Sequence, residues 1–187
     1  MTHRTAIVGG GAAGFFAAIT AAEARRGATV HLFEKTGRLL TKVRISGGGR
    51  CNVTHALFEP RELVQRYPRG SKELRGPFHT WSPKHTIDWF NERGVALKTE
   101  DDGRMFPTTD DSETIAGCLM RAAQRAGVRI HTHVDIRQAT HSPEEGFVLK
   151  TADAALGPFD RLILATGGGS ASGGLGLARA FGHTITE

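Results

Sequence analysis

Residues 4–35, RTAIVGGGAAGFFAAITAAEARRGATVHLFEK, decide the fold of this chain. The stretch opens at 5–8 with a short β-branched run of the kind that forms a buried strand. Three glycines, Gly9, Gly11 and Gly14, follow at the spacing G-x-G-x-x-G. We expect the first to permit a tight turn, the second to let an anion approach the backbone, and the third to bring a helix close to the sheet.

The rest of the stretch completes a βαβ unit. An alanine-rich segment predicts a helix to about residue 26, and residues 28–33 predict a second strand that ends at Glu34. Glu34 lies 20 residues beyond Gly14, where an acid accepts hydrogen bonds from ribose hydroxyls and repels a 2′-phosphate. This order favours a site for FAD or NAD over NADP; the alternative is an ordinary βαβ unit with an incidental acid. The phosphates would face Gly9, Gly10, Gly11, Ala12, Ala13 and Gly14.

A second glycine-rich stretch lies within the long segment 36–60, which has neither helical nor strand periodicity. Residues 44–54, RISGGGRCNVT, offer open backbone N–H groups, the cation of Arg50 and amide groups. These are the parts of a nest for a phosphate or a polarised ring carbonyl, and a flexible linker is the alternative. Arg50 could lower the pKa of Cys51, but without a partner thiol a packing role for this cysteine is the simpler interpretation.

The composition is that of a globular protein, with 39% hydrophobic and 23% charged residues among 187. This length allows one domain, or a domain with an insertion. The formal charge of +5 raises nucleic acid as a partner, but the densest basic stretch, 35–50, has no interleaved aromatic residues. An anionic cofactor explains that stretch more simply, so we expect no nucleic-acid partner.

Neither a metal nor a membrane is expected as a partner. Cys51 and Cys118 form no C-x-x-C, so neither a zinc site nor a disulfide scaffold is indicated. His131 and His133 would share a strand face without a third ligand at suitable spacing, which favours a solvated face over a metal site. No apolar stretch is long enough to span a bilayer, and we expect a cytoplasmic protein.

The remaining segments alternate between helices and strands, and nothing repeats with a fixed period. The acids at 100–102 are interpreted as a solvated hairpin turn and not as a catalytic pair. No Ser-His-acid set sits at a nucleophile elbow, so no catalytic residue is assigned. We predict helices at 59–67, from Ser82-Pro83 to Gly94, from Asp110 or Asp111 to Gly127 and at 175–181, and strands at 95–99, 104–106, 128–136, 147–151 and 159–164.

Several strings of this sequence resemble known flavoproteins. Residues 7–14, IVGGGAAG, together with Glu34-Lys35 are similar to the glutathione-reductase-like FAD superfamily. Residues 42–54, KVRISGGGRCNVT, resemble the BaiN/HI0933-like (YhiN) flavoproteins, a family also called aminoacetone-oxidase-like or NAD(P)/FAD-dependent oxidoreductases. Further matches to motifs of that family are GRMFP at 103–107, ATGG at 165–168 and GHTI at 182–185.

The resemblance implies a Rossmann-like α/β domain of the glutathione-reductase-like type, with inserted helices and β-hairpins and with bound FAD. Residues 9–14 would hold the pyrophosphate and Glu34 the adenosine ribose, while the backbone of Val134 would meet the adenine. Hydride would be accepted at the flavin N5 and redelivered to a small-molecule substrate or O₂, with NAD(P)H as a candidate donor. The other residues implied in cofactor binding are Lys35, Arg44, Gly48, Gly49, Arg50, Cys51, Asn52, Thr166, Gly167 and Gly168.

Members of that family continue well beyond this length, so 1–187 is interpreted as an FAD-binding domain from the N-terminal part of such a protein. Three alternatives stay open. The first is a nicotinamide-only dehydrogenase, although the loop at 47–54 argues against it. The others are a catalytically incomplete fragment that binds a nucleotide or a partner protein, and a nucleic-acid binder that uses the basic loop. The substrate, the oligomeric state and the catalytic residues also stay open.

Overall fold

The computed structural model describes residues 3–25, 27–168 and 173–185. The chain divides into two compact units. The first comprises Met1–Lys42 and Leu119–Glu187, and the second comprises Val43–Cys118. Within the described ranges the strands are β1 (Arg4–Val8), β2 (Thr29–Phe33), β3 (Thr54–His55), β4 (Leu97–Thr99), β5 (Arg104–Pro107), β6 (Arg129–His131), β7 (Gln138–Ser142), β8 (Gly146–Lys150), β9 (Ala155–Phe159) and β10 (Arg161–Leu164). The helices are α1 (Ala12–Ala24), α2 (Thr41–Ile45), α3 (Pro60–Leu63), α4 (Ser71–Thr80), α5 (Pro83–Asn91), α6 (Ser112–Arg125) and α7 (Gly174–Ala180).

A four-stranded parallel sheet, in the order β10-β1-β2-β6, is the framework of the first unit. β1 and β2 each bury four consecutive residues, as expected for central strands of a parallel sheet with both faces covered. α1 packs on β1, β2 and β10, and it buries Phe15, Ala18 and Ile19. Because the strands are parallel, the carboxyl ends of β1, β2, β6 and β10 meet at one edge of the sheet.

A three-stranded antiparallel sheet, β7-β8-β9, also belongs to the first unit. Buried side chains from both sheets and from α7 pack in one hydrophobic cluster, so a single core joins the two sheets. Burying a large apolar side chain in this way is worth about 1.5–3 kcal/mol. The members of the cluster are Ala6, Val8, Phe33, Ile136, Ala139, Leu149, Phe159 and Leu177.

The second unit is built on a three-stranded antiparallel sheet, β3-β5-β4. β5 is its central strand, and Met105, Phe106 and Pro107 on it are buried. The predicted hairpin of β4 and β5 is confirmed, with Thr99 opposite Met105. α5 buries Trp89, which places an aromatic side chain in the core of this unit.

The two predicted helix starts in the second unit are confirmed with one change. α5 follows Ser82, whose backbone N–H donates to Nδ1 of His85 at 3.0 Å. At the start of α6, the N–H of Glu113 donates to Asp111 Oδ1 at 2.9 Å, so Asp111 is the capping residue. Asp110, the other candidate, is paired with Lys98 instead.

The predicted strand at 128–136 is too long. β6 ends at His131, and His133 adopts a left-handed conformation with φ of +58°. The N–H of Val134 then donates to the carbonyl of Glu34 at 2.9 Å, which turns the chain away before β7 begins. Periodicity could not show this break, because its cause is a hydrogen bond to a loop far earlier in the sequence.

Five elements of the structure were not predicted. The segment 36–60, expected to be irregular, contains α2 and β3, and β7 lies between two of the predicted strands. α4 was missed because it includes Gly76 and Pro77, which are poor helix formers, and it buries no side chain. β9 was missed because Gly157 and Pro158 interrupt its strand pattern. None of the helices in the described ranges combines the length and the apolar character that crossing a bilayer requires.

Candidate dinucleotide-binding site

The first glycine turn joins β1 to α1 and leaves little room for side chains. Gly9 has φ of +118°, and a Cβ there would lie 2.3 Å from the carbonyl oxygen of Ala165. A Cβ on Gly14 would lie 1.8 Å from the carbonyl oxygen of Gly9, so α1 approaches the turn as closely as the sequence predicted. A Cβ on Gly11 would meet no atom within 4 Å. The turn is therefore tight on its inner side and open beside Gly11.

The N-terminus of α1 presents backbone donors at this open side. Gly11 is its N-cap and makes no side-chain capping bond, and the first turn carries no acidic residue. The N–H groups of the first helical turn, those of Ala12, Ala13 and Gly14, have no partner inside the helix by its geometry. Together with the positive end of the helix dipole, they form a seat for an anionic group.

Glu34 is held in one orientation at the end of β2. Its Oε2 accepts the N–H of Gly10 at 2.8 Å, and its Oε1 accepts both the N–H and the hydroxyl of Thr36 at 2.9 Å. Its own N–H donates to the carbonyl of His131 at 2.8 Å. A carboxylate has about four acceptor positions, so one position on Oε2 is left for a further donor such as a ribose hydroxyl.

Five of the predicted cofactor residues converge on one cleft of about 170 Å³ in the first unit: Gly9, Glu34, Lys35, Val134 and Thr166. Val134 has its N–H engaged with the carbonyl of Glu34. Its carbonyl oxygen is thus the backbone group that could meet the amino group of an adenine. The contact between Val134 and the adenine stays a prediction, and the carbonyl oxygen of Val134 is the atom that would make it.

The loop after β10 is shaped by two further glycines. Gly174 packs on Thr166 so closely that a Cβ would lie 1.7 Å from the Thr166 hydroxyl. Gly167 has φ of +77°, and a Cβ there would lie 3.6 Å from Nζ of Lys42. Lys42 is exposed, and this neighbour of Gly167 was not among the predicted site residues. Its place in the string KVRISGGGRCNVT was the one available signal for it.

The second glycine turn, Ser46–Gly49, is a 3₁₀ turn in the second unit. Gly47, Gly48 and Gly49 have φ of +58°, +68° and +88°, and Cys51 has φ of +64°. A Cβ on Gly47 would lie 2.6 Å from the ring of Phe106. The turn therefore packs directly on the central strand of its sheet, so it is an ordered element and not a flexible linker.

Arg50 fastens this turn to the neighbouring hairpin. Its guanidinium lies 4.1 Å from the centroid of the Phe106 ring and is paired with Glu100 and, at 3.6 Å, with Asp110. The hydrogen bond to Glu100 is the main cause that raises the pKa of Arg50. Glu100 is half-buried, so the prediction that the acids at 100–102 form only a solvated turn is wrong for this residue.

Arg44 is also paired with a carboxylate inside the second unit. Its Nε and Nη2 donate to the two oxygens of Glu113, the second at 3.2 Å. The predicted cations of the segment, Arg44 and Arg50, thus both have acidic partners. The cofactor contacts predicted for them, and for Gly48, Gly49 and the exposed Asn52, stay predictions.

Cys51 is buried, with 5% of its surface exposed. Burial raises the pKa of its thiol, which opposes the lowering that Arg50 was considered to cause. A neutral buried thiol is a poor nucleophile. The packing role preferred from the sequence is therefore the one that the structure supports.

The interpretation of His131 as part of a solvated strand face is wrong. Its ring is half-buried and stacks on Phe33, with 4.8 Å between ring centroids. Its Nε2 lies 3.0 Å from Nδ1 of His31, which is buried on the neighbouring strand. Across the described residues, no three His, Cys, Asp or Glu side chains are grouped so that they could hold a metal ion.

Residues 3–187 match the family described as the HI0933-like protein Rossmann domain. The chain belongs to the HI0933-like family. The resemblance to this family noted from the string at 42–54 is thereby confirmed. This match covers both glycine turns of the HI0933-like chain, the one before α1 and the one before β3.

Two curated relatives are similar to this HI0933-like chain. One is 3-dehydro-bile acid delta(4,6)-reductase of Clostridium scindens, 32% identical over 190 residues that cover 98% of the chain and 45% of the relative. The other is ribosomal RNA dihydrouridine synthase of Escherichia coli, 32% identical over 182 residues that cover 97% of the chain and 43% of the relative. The chain thus spans less than half the length of each. Because one relative is named for ribosomal RNA, these matches lend no support to excluding a nucleic-acid partner.

A solved structure shares the fold. FrdA of Escherichia coli quinol fumarate reductase matches with a TM-score of 0.67 and 15% identity, over 96% of this chain and 37% of that one. At this identity the likeness shows the fold alone. The prediction of a Rossmann-like α/β domain is confirmed by this likeness and by the family match.

Proposed function

We propose that this chain is the FAD-binding domain of a flavin-dependent oxidoreductase. The observation that carries the proposal is that the N-terminus of α1, which has no side-chain cap, lies next to the Glu34 carboxylate. This carboxylate accepts the N–H of Gly10, just before the helix begins. A pyrophosphate is attracted to the helix terminus, and ribose hydroxyls donate to a carboxylate. One adenine dinucleotide supplies both groups.

The residues present fit FAD. The open space beside Gly11 lets a phosphate reach the backbone donors, since a Cβ there would meet nothing within 4 Å. Glu34 would repel the 2′-phosphate that distinguishes NADP. The exposed ammonium of Lys42 beside Gly167 adds a positive charge on the loop after β10. Each of these groups belongs to the first unit.

The protein's part in the chemistry is to bind and orient the cofactor. The N–H groups of Ala12, Ala13 and Gly14 would hold the pyrophosphate, the free position on Glu34 Oε2 would accept a ribose hydroxyl, and the Val134 carbonyl would accept the adenine amino group. Bound FAD would supply hydride transfer through its N5. NAD(P)H is the electron donor that we propose.

The substrate class that we propose is a ring with a C=C bond conjugated to a carbonyl. The two relatives are named as a delta(4,6)-reductase of a 3-dehydro bile acid and as a synthase of dihydrouridine. Both names refer to reduction of a C=C bond, and in an enone of the proposed class hydride would add to the β-carbon and a proton to the α-carbon. A small organic enone and a uridine base in RNA are therefore the two candidate substrates.

Gly11→Val tests the cofactor site. The purified protein is expected to be yellow, and the valine side chain would occupy the space where the phosphate belongs. We expect at least about a tenfold loss of FAD affinity, which corresponds to about 1.4 kcal/mol, measured by quenching of flavin fluorescence.

Gly76→Val is the matched control for this test. It also adds a side chain where a Cβ would meet nothing within 4 Å, but in the second unit. It should keep the affinity for FAD. Retention of flavin by a folded Gly11→Val protein would place the cofactor elsewhere. A colourless wild-type protein that binds NAD would favour the nicotinamide-only alternative.

A further inference from the structure

The second unit contains a segment that combines two exposed aromatic residues with four exposed basic residues. We call residues 64–81 the aromatic-basic segment. Among the aromatic side chains that the structure describes, those exposed by 40% or more are Phe58, Tyr67 and Trp81, and the last two lie within the segment. Aromatic rings exposed beside cations are the groups with which single-stranded nucleic acids are bound.

The segment is also basic. It contains four Lys or Arg residues and the single acid Glu73, so its net charge is +3, compared with +5 for the whole chain. All four cations are exposed: Arg66, Arg69, Lys72 and Arg75. Residues 35–50, which have no aromatic residues, gave no reason to expect a nucleic-acid partner, whereas here the aromatic residues are interleaved with the cations.

Packing within the second unit does not account for the aromatic and basic residues of the segment. α4 buries no side chain, and Leu74 and Phe78 on it are only half-buried. Tyr67 contacts Phe78, with 5.4 Å between ring centroids, and keeps 40% of its surface exposed. A helix without a fully buried side chain gains little from the core of its own unit.

The indole of Trp81 is held in place at the end of the segment. Its Nε1–H donates to the hydroxyl of Thr86 at 3.0 Å, while 40% of the residue stays exposed. A fixed and exposed aromatic ring is suited to stack with a base, because little side-chain entropy is lost on contact.

We propose that the aromatic-basic segment binds single-stranded RNA. The four cations contact the phosphates, and the rings of Tyr67 and Trp81 stack with unpaired bases. The choice of RNA as the partner rests on the proposed function, in which a uridine base is one of the two candidate substrates. The complementarity between the positive charge of the segment and the negative charge of the phosphates also supports this choice. An anionic membrane is a weaker match, since the aliphatic Leu74 is half-buried and not presented to solvent.

The test measures binding of a labelled, uridine-rich 12-nucleotide RNA by fluorescence anisotropy at several salt concentrations. Replacing Arg66, Arg69, Lys72 and Arg75 together by Gln should weaken binding at least about thirtyfold. It should also flatten the slope of log affinity against log salt by roughly 0.7 for each phosphate that the protein no longer neutralises. The matched control replaces four exposed cations outside the segment by Gln: Arg121, Arg125, Lys150 and Arg161. It should bind within about threefold of the unmodified protein.

Two aromatic variants separate stacking from charge. Tyr67→Ala should lower the affinity by about tenfold without changing the salt slope, and Tyr67→Phe should restore it, because a phenyl ring still stacks. Equal losses in the two quadruple variants, or binding to vesicles of anionic lipid but not to RNA, would overturn the proposal. Flavin absorption is recorded in parallel, so a protein that binds RNA without FAD would refute the proposed function and leave this inference standing.

Discussion

The two glycine turns of this chain can be compared directly, because each has at least three glycines within six residues. The turn at 9–14 has no charged side chain, and its positive charge comes from the N–H groups at the start of α1. The turn at 46–51 carries Arg50, whose charge is paired with Glu100 and Asp110. The N–H groups at the start of α1 attract an anion. A paired arginine instead fastens one loop to another.

The largest expected effect concerns the steric demand of the first turn. Gly14→Ala would place a Cβ 1.8 Å from the Gly9 carbonyl oxygen, and that backbone atom belongs to the tight turn. We expect the free energy of unfolding to fall by about 3 kcal/mol, measured by urea denaturation.

Two alanine variants are controls for the comparison of the turns. Gly11→Ala adds a Cβ in open space and should change the unfolding free energy by less than about 0.5 kcal/mol. Gly48→Ala also has open space, but its φ of +68° is unfavourable for alanine, so we expect a cost of about 1 kcal/mol. Equal costs at Gly14 and Gly11 would show that close packing does not govern the first turn.

The next effect is a different response of the two units to acid. Burial, and next the neighbouring His131, lower the pKa of His31 to about 4. Between pH 6.5 and 4 the unfolded chain binds more protons at this residue than the folded chain does. The free energy of unfolding of the first unit should therefore fall as the pH drops through this window. His31→Gln should reduce that fall, and His131, whose pKa burial also lowers, should account for a remaining part.

The second unit should be insensitive over the same range. The hydrogen bond from Lys98 is the main cause that lowers the pKa of Asp110 below its usual 3.8. The stability that the ionised Asp110 contributes is therefore present above pH 3.8 and is lost only in stronger acid. Both tryptophans, Trp81 and Trp89, lie in this unit, so their fluorescence reports on it alone. A fluorescence midpoint in urea that shifts as much as the circular-dichroism midpoint between pH 7 and pH 5 would contradict the difference.

The smallest effect concerns the ion pairs that Arg50 makes from the second glycine turn. Arg50→Met keeps an apolar side chain over the Phe106 ring but removes the charge that Glu100 and Asp110 hold. We expect faster hydrogen exchange at residues 47–51, with no change at 9–14. Lys84→Met, which removes an exposed pairing with Asp88 in the same unit, is the control. Unchanged exchange in the Arg50 variant would mean that glycine geometry alone orders the turn.

Much of the first unit was predictable because its signals are local. β1, the glycine turn, α1 and β2 were each placed within about two residues, since a strand run, a glycine spacing and an alanine-rich helix are readable in consecutive residues. Glu34 was singled out by its spacing, and the structure adds that Gly10 and Thr36 orient its carboxylate, while its contact with a ribose stays a prediction.

The parts that were missed depend on partners distant in the sequence. The burial of His131 follows from the pairing of β6 with β2, which places it beside His31 and Phe33. The half-buried state of Glu100 follows from its pairing with Arg50. α4 was missed for a different reason, because its glycine and proline are unfavourable and no buried face reveals its period.

The amino-acid sequence by itself determined the glycine turn between β1 and α1, the position of Glu34 at the end of β2 and the family of the chain, because these depend on residue type and spacing along a short stretch. The tertiary structure alone decided which charges are paired and which backbone groups stay open. Pairing depends on distances between residues far apart in the chain. Those distances separate the glycine turn whose helix donors can receive an anion from the turn whose arginine is already held by Glu100 and Asp110.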